Sequence, residues 1–255
     1  MTFYLLSCIE REICMDNPLD NHVLAYQGNN IYDFDNELQL KWYPQRIVKF
    51  SEGAASLLEL GLGHGITATT FAPFFKRHVV IDASPAVIAN FRKNHPDSNI
   101  EIVESYFENF NTEERFDVIV LGYILEHVDD PLLILKLFRR FLNPGGRMFV
   151  TVPNAEVLNR RIGHLAGMLP NMQELSDHDI LLGHKRYYTV QTLRRDIESS
   201  GYAIRRLEGI YLKPLTTAQM ISLNFSDDII QAFCQAGIDY PELSCGILAE
   251  LESDN

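Results

Sequence analysis

Three glycines follow a short apolar run and indicate a backbone that approaches a ligand closely. The stretch LLELGLGHGITATTF places Gly61, Gly63 and Gly65 between a predicted strand and a predicted helix. Glycine allows the backbone conformations and the close approach that a nucleotide-like ligand requires at such a turn. The dinucleotide fingerprint G-x-G-x-x-G is broken, because Ile66 stands at its third glycine, and the Lys-Ser/Thr pair of a nucleoside-triphosphate loop is absent.

Asp82 ends the next apolar run and adds a second element to this predicted site. A carboxylate at that point can accept hydrogen bonds from both hydroxyls of a ribose. The glycine loop and the acidic residue together predict a nucleoside-containing ligand.

Alternating strands and helices have to position these residues. Nearly continuous apolar runs, typical of parallel strands covered on both faces, predict strands at 56–61, 78–83, 100–105, 116–123 and 146–153. Helices are predicted over 64–76, 85–95, 130–142 and 189–200, with one or two more over 216–237. The segments YAIRRLEGIYL and ELSCGILAELE are predicted as two last strands. The fold class is therefore α/β, a Rossmann-like, doubly wound, seven-stranded and mostly parallel sheet.

Two segments depart from this alternation. Residues 1–50 are predicted as an N-terminal helical segment in which Pro44 marks a helix boundary. Residues 51–255 are predicted as the Rossmann-like domain. Within it, residues 154–190 form an insertion after the fifth strand, and an insertion of this length is usually functional, which predicts a cap over the substrate.

Charge and cysteine content restrict partners and compartment. A net charge of −12 over 255 residues repels phosphate backbones, so we expect no nucleic-acid partner. The four cysteines, Cys8, Cys14, Cys234 and Cys245, form no C-x-x-C pair and have no histidine at zinc-like spacing. We interpret them as reduced thiols. The N-terminal apolar run is too short for a signal peptide or a membrane span, which predicts a cytoplasmic protein without a membrane partner.

Several motifs together resemble the class I S-adenosylmethionine-dependent methyltransferases. The first strand and loop carry the pattern E-x-G-x-G-x-G, from Glu59 to Gly65. ERFDVIVLGYILEHVDDP is similar to the fourth strand and following turn of that family, and LLILKLFRRFLNPGGRMFVTVPN to its next helix and fifth strand. GHKRYYTVQTLRRDIESSGY looks like a late segment of its small-molecule members. The resemblance covers roughly residues 52–210 and implies the fold and the cofactor S-adenosylmethionine, but not the substrate.

The resemblance also implies roles on the cofactor side. The three glycines would approach the methionine part and the ribose, and Asp82 would hold the ribose hydroxyls. Glu59 would orient the loop or reach the methionine amino group. The remaining implied contacts are Ala83 and Ser84 beside the adenine, Leu121 and Gly122 beside the methionine, and Tyr26, Trp42 or Tyr43 closing over the cofactor. Ser105 stands where the family often has the aspartate that meets the adenine, so Tyr106 or Glu104 would substitute.

Methyl transfer to a hydroxyl requires a group that takes the proton, and histidine is the usual base near neutral pH. His127 follows the fourth strand, where the family places groups that face the methyl; the alternative is a structural role in the turn. His184 and Tyr187 or Tyr188 would line the acceptor pocket together with His178 and Asp179; the alternative is that His184 anchors the insertion. We predict His127, His184 and Tyr188 as the catalytic candidates. No metal is predicted, because Tyr123 stands where related quinone-precursor O-methyltransferases carry an extra glutamate.

The resulting interpretation is O-methylation of a small molecule, such as a sugar or a natural-product intermediate. S-adenosylhomocysteine would be the product of the cofactor. N- or carboxyl-methylation of a small molecule, methylation of RNA or protein, and cofactor binding without turnover are the alternatives. The small-molecule acceptor is the expected partner, and a homodimer is left open.

Overall fold

In the part of the chain that the structure describes, helices cover both faces of one seven-stranded sheet. The computed structural model describes Asn17, Leu19 and residues 30–253, so Tyr26, Cys8 and Cys14 lie outside the described residues. The strands are β1 Ser56–Leu60, β2 Arg77–Asp82, β3 Glu101–Glu104, β4 Phe116–Gly122, β5 Leu142–Pro153, β6 Tyr202–Leu212 and β7 Ser244–Ser253. The helices are α1 Asp33–Phe50, α2 Ile66–Phe71, α3 Pro85–Asn94, α4 Pro131–Arg139, α5 Leu158–Leu165, α6 Asp177–Leu181, α7 Val190–Ser199, α8 Thr217–Ser222 and α9 Asp227–Gly237.

The strand order confirms the predicted fold class. The seven strands are arranged β3-β2-β1-β4-β5-β7-β6. The pairs among β1 to β5 are parallel, and β7 runs antiparallel to both β5 and β6. Because β1 pairs with β2 on one side and with β4 on the other, the direction of winding reverses there. In open α/β sheets, ligands bind at the carboxyl ends of the strands at such a point.

Both faces of the sheet are buried, which explains the nearly continuous apolar runs. Leu58 and Leu60 of β1 pack with Val79 and Ile81 of β2 in one core cluster. Leu57 points to the opposite face and joins the cluster beneath α1. The two clusters hold the sheet rigid beneath its carboxyl edge, where the predicted site residues emerge.

Two predictions about helices are wrong. Pro44 lies inside α1 rather than at a helix boundary. Its missing hydrogen bond is tolerated because Pro44 is buried with Tyr43 and Ile47 on the face that α1 packs against the core. Helix α2 ends at Phe71 instead of continuing to residue 76. Ala72 still has helical φ and ψ angles, but Pro73 has no N–H to donate to the carbonyl of Thr69, and this ends the helix.

The insertion over 154–190 leaves the sheet after β5 and returns beside it. Asn154 and Tyr188 form an isolated parallel bridge that joins its two ends. Asn154 also donates its side-chain amide to the carbonyls of Pro241, Glu242 and Ser244. Helices α5 and α6 lie within this segment. None of the helices in the described part of the chain is long and apolar enough to cross a membrane.

Candidate active site

A cavity of about 840 Å³ lies at the carboxyl edge of the sheet. Its walls come from α1, the glycine loop, the end of β2, the turn after β4, the insertion and the segment after β6. A volume of this size lies in the range of small-molecule and cofactor sites.

The glycine loop forms one wall of the cavity, and all three glycines have positive φ angles, of 81°, 46° and 75° at Gly61, Gly63 and Gly65. A Cβ atom at Gly61 would lie 2.8 Å from a side-chain carbon of Ile124, and one at Gly65 would lie 2.5 Å from the ring of Phe91. A Cβ at Gly63 would meet no atom within 4 Å and would point into open space. The loop therefore needs glycine for conformation and packing, and leaves bare backbone facing the cavity.

Asp82 is fixed by backbone donors beside this loop. Its carboxylate accepts from the Leu62 N–H at 2.8 Å and from the Ser84 N–H at 2.9 Å. Burial raises the pKa of Asp82, although hydrogen bonds from these and neighbouring backbone amides act to lower it. Asp82 lines the cavity. A carboxylate held in this way keeps lone pairs for the two hydroxyls of a ribose.

Glu59 lies beneath the loop instead of facing the ligand. It is 1% exposed, accepts from Thr67 Oγ1 at 2.5 Å and lies 2.9 Å from Nε2 of His78. Glu59 is not among the residues that line the cavity. Of the two implied roles, orientation of the loop fits this geometry and a contact to the methionine amino group does not, because β1 points the side chain into the protein.

The other predicted cofactor contacts divide into two groups. Ala83, Ser84, Tyr106 and Gly122 line the cavity. Leu121 does not, because alternation along β4 points it into the core, where it is 0% exposed.

Ser105 also stays away from the cavity, and its hydroxyl donates to the Tyr106 carbonyl at 2.9 Å. Of the aromatic residues of α1, Tyr43 lines the cavity and Trp42 does not. His64 lines the cavity as well.

Asn17 is a residue that the sequence analysis missed. Its amide donates to the Ala83 carbonyl at 2.6 Å, and the Tyr106 hydroxyl donates to its side-chain oxygen at 3.3 Å. Asn17 thus connects the ends of β2 and β3, beside the predicted adenine position. No pattern in the sequence marks it, because its partners are distant in the chain.

The sequence matches the family model described as "Methyltransferase domain" over residues 34–207, more than half of the chain. This chain belongs to that methyltransferase family. The ubiquinone biosynthesis O-methyltransferase of Acinetobacter baumannii strain AYE is 25% identical over 201 residues, which cover 74% of this chain and 80% of that protein.

Solved structures agree on the fold of the methyltransferase. The N-methyltransferase NodS from Bradyrhizobium japonicum WM9, in complex with S-adenosyl-L-homocysteine, has a TM-score of 0.56 at 16% identity and covers 96% of each chain. A possible histamine N-methyltransferase from Thermotoga maritima has a TM-score of 0.62 at 15% identity, covering 92% of this chain and 98% of that one. The protein is a class I, S-adenosylmethionine-dependent methyltransferase, as the motifs predicted.

The turn after β4 brings His127, one of the predicted catalytic residues, to the cavity of the methyltransferase. It begins at Tyr123, whose φ of 57° lies in the left-handed region, which is uncommon for a bulky residue and typical of functional sites. The Tyr123 N–H donates to the Thr151 carbonyl at 2.9 Å, and its hydroxyl donates to Gln39 of α1 at 2.8 Å. These bonds tie the turn to β5 and to α1, and residues 126–129 then follow along the cavity wall.

Arg186 holds the same turn from the other side and was missed by the sequence analysis. Its guanidinium donates to the carbonyls of Leu125 at 2.6 Å, of Val128 at 2.5 Å and of Asp129 at 3.1 Å. Helix α4 then begins after Asp130, whose side chain caps it by accepting from the Leu133 N–H at 3.0 Å.

Glu126 is a buried carboxylate at the cavity wall. It is 0% exposed, and neither of its side-chain oxygens has a hydrogen-bond partner. Burial raises the pKa of Glu126 to about 7, although the charges of His184 and Arg186 act to lower it. The carboxylate is therefore poised between its neutral and charged forms near neutral pH.

His127 and His184 meet across the cavity, as the sequence hypothesis requires. Their rings lie 4.8 Å apart between centroids in an edge-to-face arrangement. Nδ1 of His184 lies 3.2 Å from Oδ1 of Asp179, at ion-pair distance but without hydrogen-bond geometry. Asp179 also accepts from the Tyr187 hydroxyl at 2.6 Å. Burial acts to raise the pKa of Asp179, but the nearby His184 and the hydrogen bonds from Ser176 and Tyr187 outweigh it and hold that pKa well below its ordinary value.

Tyr188 is a correction to the predicted catalytic set. It is 1% exposed, packs in the core with Leu193 and Ile197, and places its hydroxyl 3.3 Å from Asp196. Its neighbour Tyr187 lines the cavity. Extended backbone directs successive side chains to opposite sides, so only one of the two tyrosines can face the acceptor.

Three donors that can bind a metal ion converge at this place. Ligand atoms of Glu126, His127 and His184 all lie within 4.8 Å of one another. A carboxylate with two imidazoles suits zinc, manganese or iron. The sequence-based prediction that no metal binds considered only the turn after β4, where Tyr123 replaces a glutamate. The third donor, His184, comes from the insertion, which that argument did not consider. Chelation tests whether a metal ion binds.

Proposed function

We propose that the methyltransferase transfers the methyl group of S-adenosylmethionine to a hydroxyl group of a small molecule, and that His184 takes the proton. The observation that carries this proposal is the pairing of His184 with Asp179 beside His127, in the same cavity as the glycine loop and Asp82.

The cofactor end of the cavity fits the nucleoside and the methionine. Gly63 leaves open space against bare backbone, and the Asp82 carboxylate is in place for the ribose hydroxyls. When bound, S-adenosylmethionine supplies an electrophilic methyl group on a sulfonium. Tyr43 lies so close to Gly122 that a Cβ at that position would overlap its hydroxyl. This contact seals the methionine side of the cavity against α1.

The acceptor end of the cavity supplies a proton acceptor. Asp179 faces Nδ1 of His184, which favours the tautomer that carries its proton there and leaves Nε2 to accept a proton from the hydroxyl. The oxygen–hydrogen bond of the acceptor breaks as the oxygen–methyl bond forms, and the proton ends on His184. His127 packs on the ring of His184 and restricts the position of the base. Positioning and removal of water supply the rest of the rate enhancement.

Hydroxyl acceptors are favoured over amines by two facts. A histidine paired with a carboxylate suits removal of a hydroxyl proton. The relative that is 25% identical is named an O-methyltransferase, while the two N-methyltransferase structures described above are 15–16% identical and share the fold alone. The net charge of −12 supports a small molecule over nucleic acid, whose phosphates it would repel. A sugar or natural-product intermediate and a cytoplasmic location remain parts of the prediction, and a homodimer stays open.

Calorimetric titration with S-adenosylmethionine and S-adenosylhomocysteine tests the cofactor side. We expect saturable binding that Asp82→Ala weakens about 10- to 100-fold, since hydrogen bonds to a charged group contribute about 1.5–3 kcal/mol. Asp97→Ala is the matched control, because Asp97 is exposed and does not line the cavity. Absence of binding to either ligand in folded protein would rule out the proposal.

Transfer of a labelled methyl group tests the acceptor side. Small molecules are supplied as matched pairs that differ only in a hydroxyl or an amine at the same carbon. We expect label on the hydroxyl member of a pair. Label on the amine members alone would replace O-methylation by N-methylation and leave the enzyme class unchanged.

A further inference from the structure

Three long basic side chains line the cavity within the described part of the chain, and two of them are neutralised. Lys213 lies 2.5 Å from Asp35, and Lys185 lies 2.5 Å from Asp129. Arg160 of α5 is the third, and it forms no ion pair with any carboxylate of the described residues. Its positive charge is therefore left without a counter-charge at the cavity wall.

Arg160 is held firmly by neutral groups. Its Nη2 donates to the carbonyl of Met172 at 2.7 Å and to that of Glu174 at 2.9 Å. Its guanidinium lies over the ring of Tyr187, with the central carbon 4.8 Å from the ring centroid. These contacts fix the orientation of the side chain but do not cancel its charge. Fixed orientation removes much of the entropy that a flexible arginine would lose on binding an anion.

One buried nitrogen of the Arg160 guanidinium has no hydrogen-bond partner. Nε of Arg160 is buried and has no hydrogen-bond partner, and the same holds for the side-chain oxygen of Asn159, the preceding residue, which also lines the cavity. A buried polar atom without a partner is unfavourable, so a ligand that supplies the partner gains the corresponding free energy. An anion would accept a hydrogen bond from Nε of Arg160, and a donor group next to that anion would donate one to Oδ1 of Asn159.

Arg160 is also connected to the proposed base. Its guanidinium lies over Tyr187, the Tyr187 hydroxyl donates to Asp179, and Asp179 faces His184. A molecule whose charged group contacts Arg160 would thus lie along the same wall as the group that takes the proton.

We propose that Arg160 and Asn159 form the recognition site for an anionic group of the methyl acceptor, a carboxylate or a phosphate. The proposal rests on the proposed function and names its substrate class: a small hydroxylated acid. Paired Lys213 and Lys185 cannot take this role without leaving Asp35 or Asp129 alone. Lys213 in addition donates to Thr217 at 2.7 Å, so its donors are largely occupied.

Nitrogen-15 NMR of arginine side chains tests the site without any turnover. Acetate, inorganic phosphate and uncharged acetamide are titrated into the protein, with and without S-adenosylhomocysteine, and the Arg160 Nε–H signal is assigned by its loss in Arg160→Met. We expect acetate or phosphate to shift this signal saturably at millimolar concentration, the range of a few kcal/mol of binding. Acetamide should leave it in place. A stronger response to acetate assigns a carboxylate, and a stronger response to phosphate assigns a phosphate ester.

Arg161 provides the internal control. It is adjacent in α5 and its Nε also lacks a hydrogen-bond partner, but it pairs with Glu156 at 3.3 Å and does not line the cavity. Its signal should not follow the anion. An Arg160 signal that no anion moves, or equal responses at Arg160 and Arg161, would overturn the proposal.

Acceptor kinetics give the second readout. Each hydroxylated acid is compared with its methyl ester in wild-type protein, Arg160→Met and Arg161→Met. We expect Arg160→Met to raise the KM for the acid about 10- to 100-fold, because a charged hydrogen bond is lost. The KM for the ester and the affinity for the cofactor should stay nearly unchanged. An unchanged ratio of acid to ester overturns the proposal. A failed proposed function is recognised separately, by absent cofactor binding and absent methyl transfer, while the NMR response still reports on Arg160.

Discussion

His184 is the side chain on which the proposed proton transfer depends. It comes from the insertion, while His127 comes from the turn after β4, and the fold brings the two rings within 4.8 Å between centroids. Asp179 lies 3.2 Å from Nδ1 of His184 and favours the tautomer whose Nε2 can accept a proton. The proposal therefore assigns the base to His184 and a positioning role to His127.

Substitution of the base should lower turnover without affecting the cofactor. We expect His184→Gln to reduce kcat about 10²- to 10⁴-fold, the usual contribution of general base catalysis, with S-adenosylmethionine affinity retained. His127→Gln is the matched comparison, and its kcat should fall less than that of His184→Gln. Initial rates of labelled methyl transfer decide between them. A greater loss for His127→Gln would transfer the role of base to His127.

Chelation distinguishes a protein base from a bound metal. We expect methyl transfer to survive dialysis against a chelator, because His184 and Asp179 can take the proton without a metal. Activity that is lost on chelation and restored by zinc or manganese would show that Glu126, His127 and His184 bind an ion instead. Elemental analysis of the purified protein provides an independent check.

At the scale of elements, the contact between α1 and β4 shapes the methionine side of the cavity. Tyr43 lies against Gly122, and the overlap that a Cβ there would cause involves first the Tyr43 hydroxyl and then its ring carbon Cζ, at 3.1 Å. Helix α1 can therefore pack this closely against the end of β4 only because residue 122 has no side chain.

A double substitution tests this contact. Gly122→Ala should weaken S-adenosylhomocysteine binding strongly, because α1 has to move away from β4. Tyr43→Phe in the same protein removes the hydroxyl and should restore part of the affinity, leaving the milder contact to Cζ. Calorimetric titration of both single variants and the double variant measures the coupling. Strictly additive losses would show that Tyr43 does not restrict Gly122.

Asp117 lies at the start of β4 and joins it to the starts of β1 and β5, at the edge of the sheet opposite to the cavity. It accepts from the backbone N–H groups of Ala55 at 2.8 Å and Ser56 at 3.0 Å, and from the Asn143 side chain at 2.8 Å. Burial acts to raise the pKa of Asp117, but these hydrogen bonds outweigh it and the pKa is lowered. The charged form is therefore favoured by folding.

The pH dependence of stability follows from this sign. A lowered pKa in the folded state adds stability that is fully present above the ordinary carboxyl pKa and is lost as the pH falls through the folded value. We expect Asp117→Asn to reduce the free energy of unfolding by about 1–3 kcal/mol between pH 5 and 8. The difference from wild type should narrow below about pH 4. Urea unfolding at several pH values measures it; a difference that is constant down to pH 3 would contradict the assignment.

Sequence patterns predicted elements better than contacts between distant segments. The central strands β1, β2 and β4 were located because a sheet buried on both faces leaves a continuous apolar run. Pro44 was misinterpreted because packing of α1 outweighs its local preference. His127 and the glycine loop lie beside their strands and were found. The contacts of His127 with His184, and of Asn17 with Ala83, join segments far apart in the chain, which spacing alone does not reveal.

At the scale of the whole molecule, the two halves of the sheet share one cavity and one core. Asp82 and the glycine loop come from the first half, whereas Lys213 and Cys245 come from the last strands, and all of them line the same space. One of the core clusters contains residues from β1 through β7. Such an arrangement favours unfolding as a single cooperative unit.

Hydrogen exchange with bound S-adenosylhomocysteine tests this cooperativity. A ligand that binds only the folded state at about 100 times its Kd adds about 2.7 kcal/mol to the free energy of unfolding. Amides that exchange only by global unfolding should all gain this amount, in β7 as well as in β1 and β4, although β7 is remote from the glycine loop in the strand order. Asp97→Ala should show the same increase in the free energy of unfolding as the wild type, and Asp82→Ala should lose this increase. Protection confined to β1, β2 and β4 would instead show that the sheet unfolds in two steps, with the β5-β7-β6 half opening independently of the cofactor site.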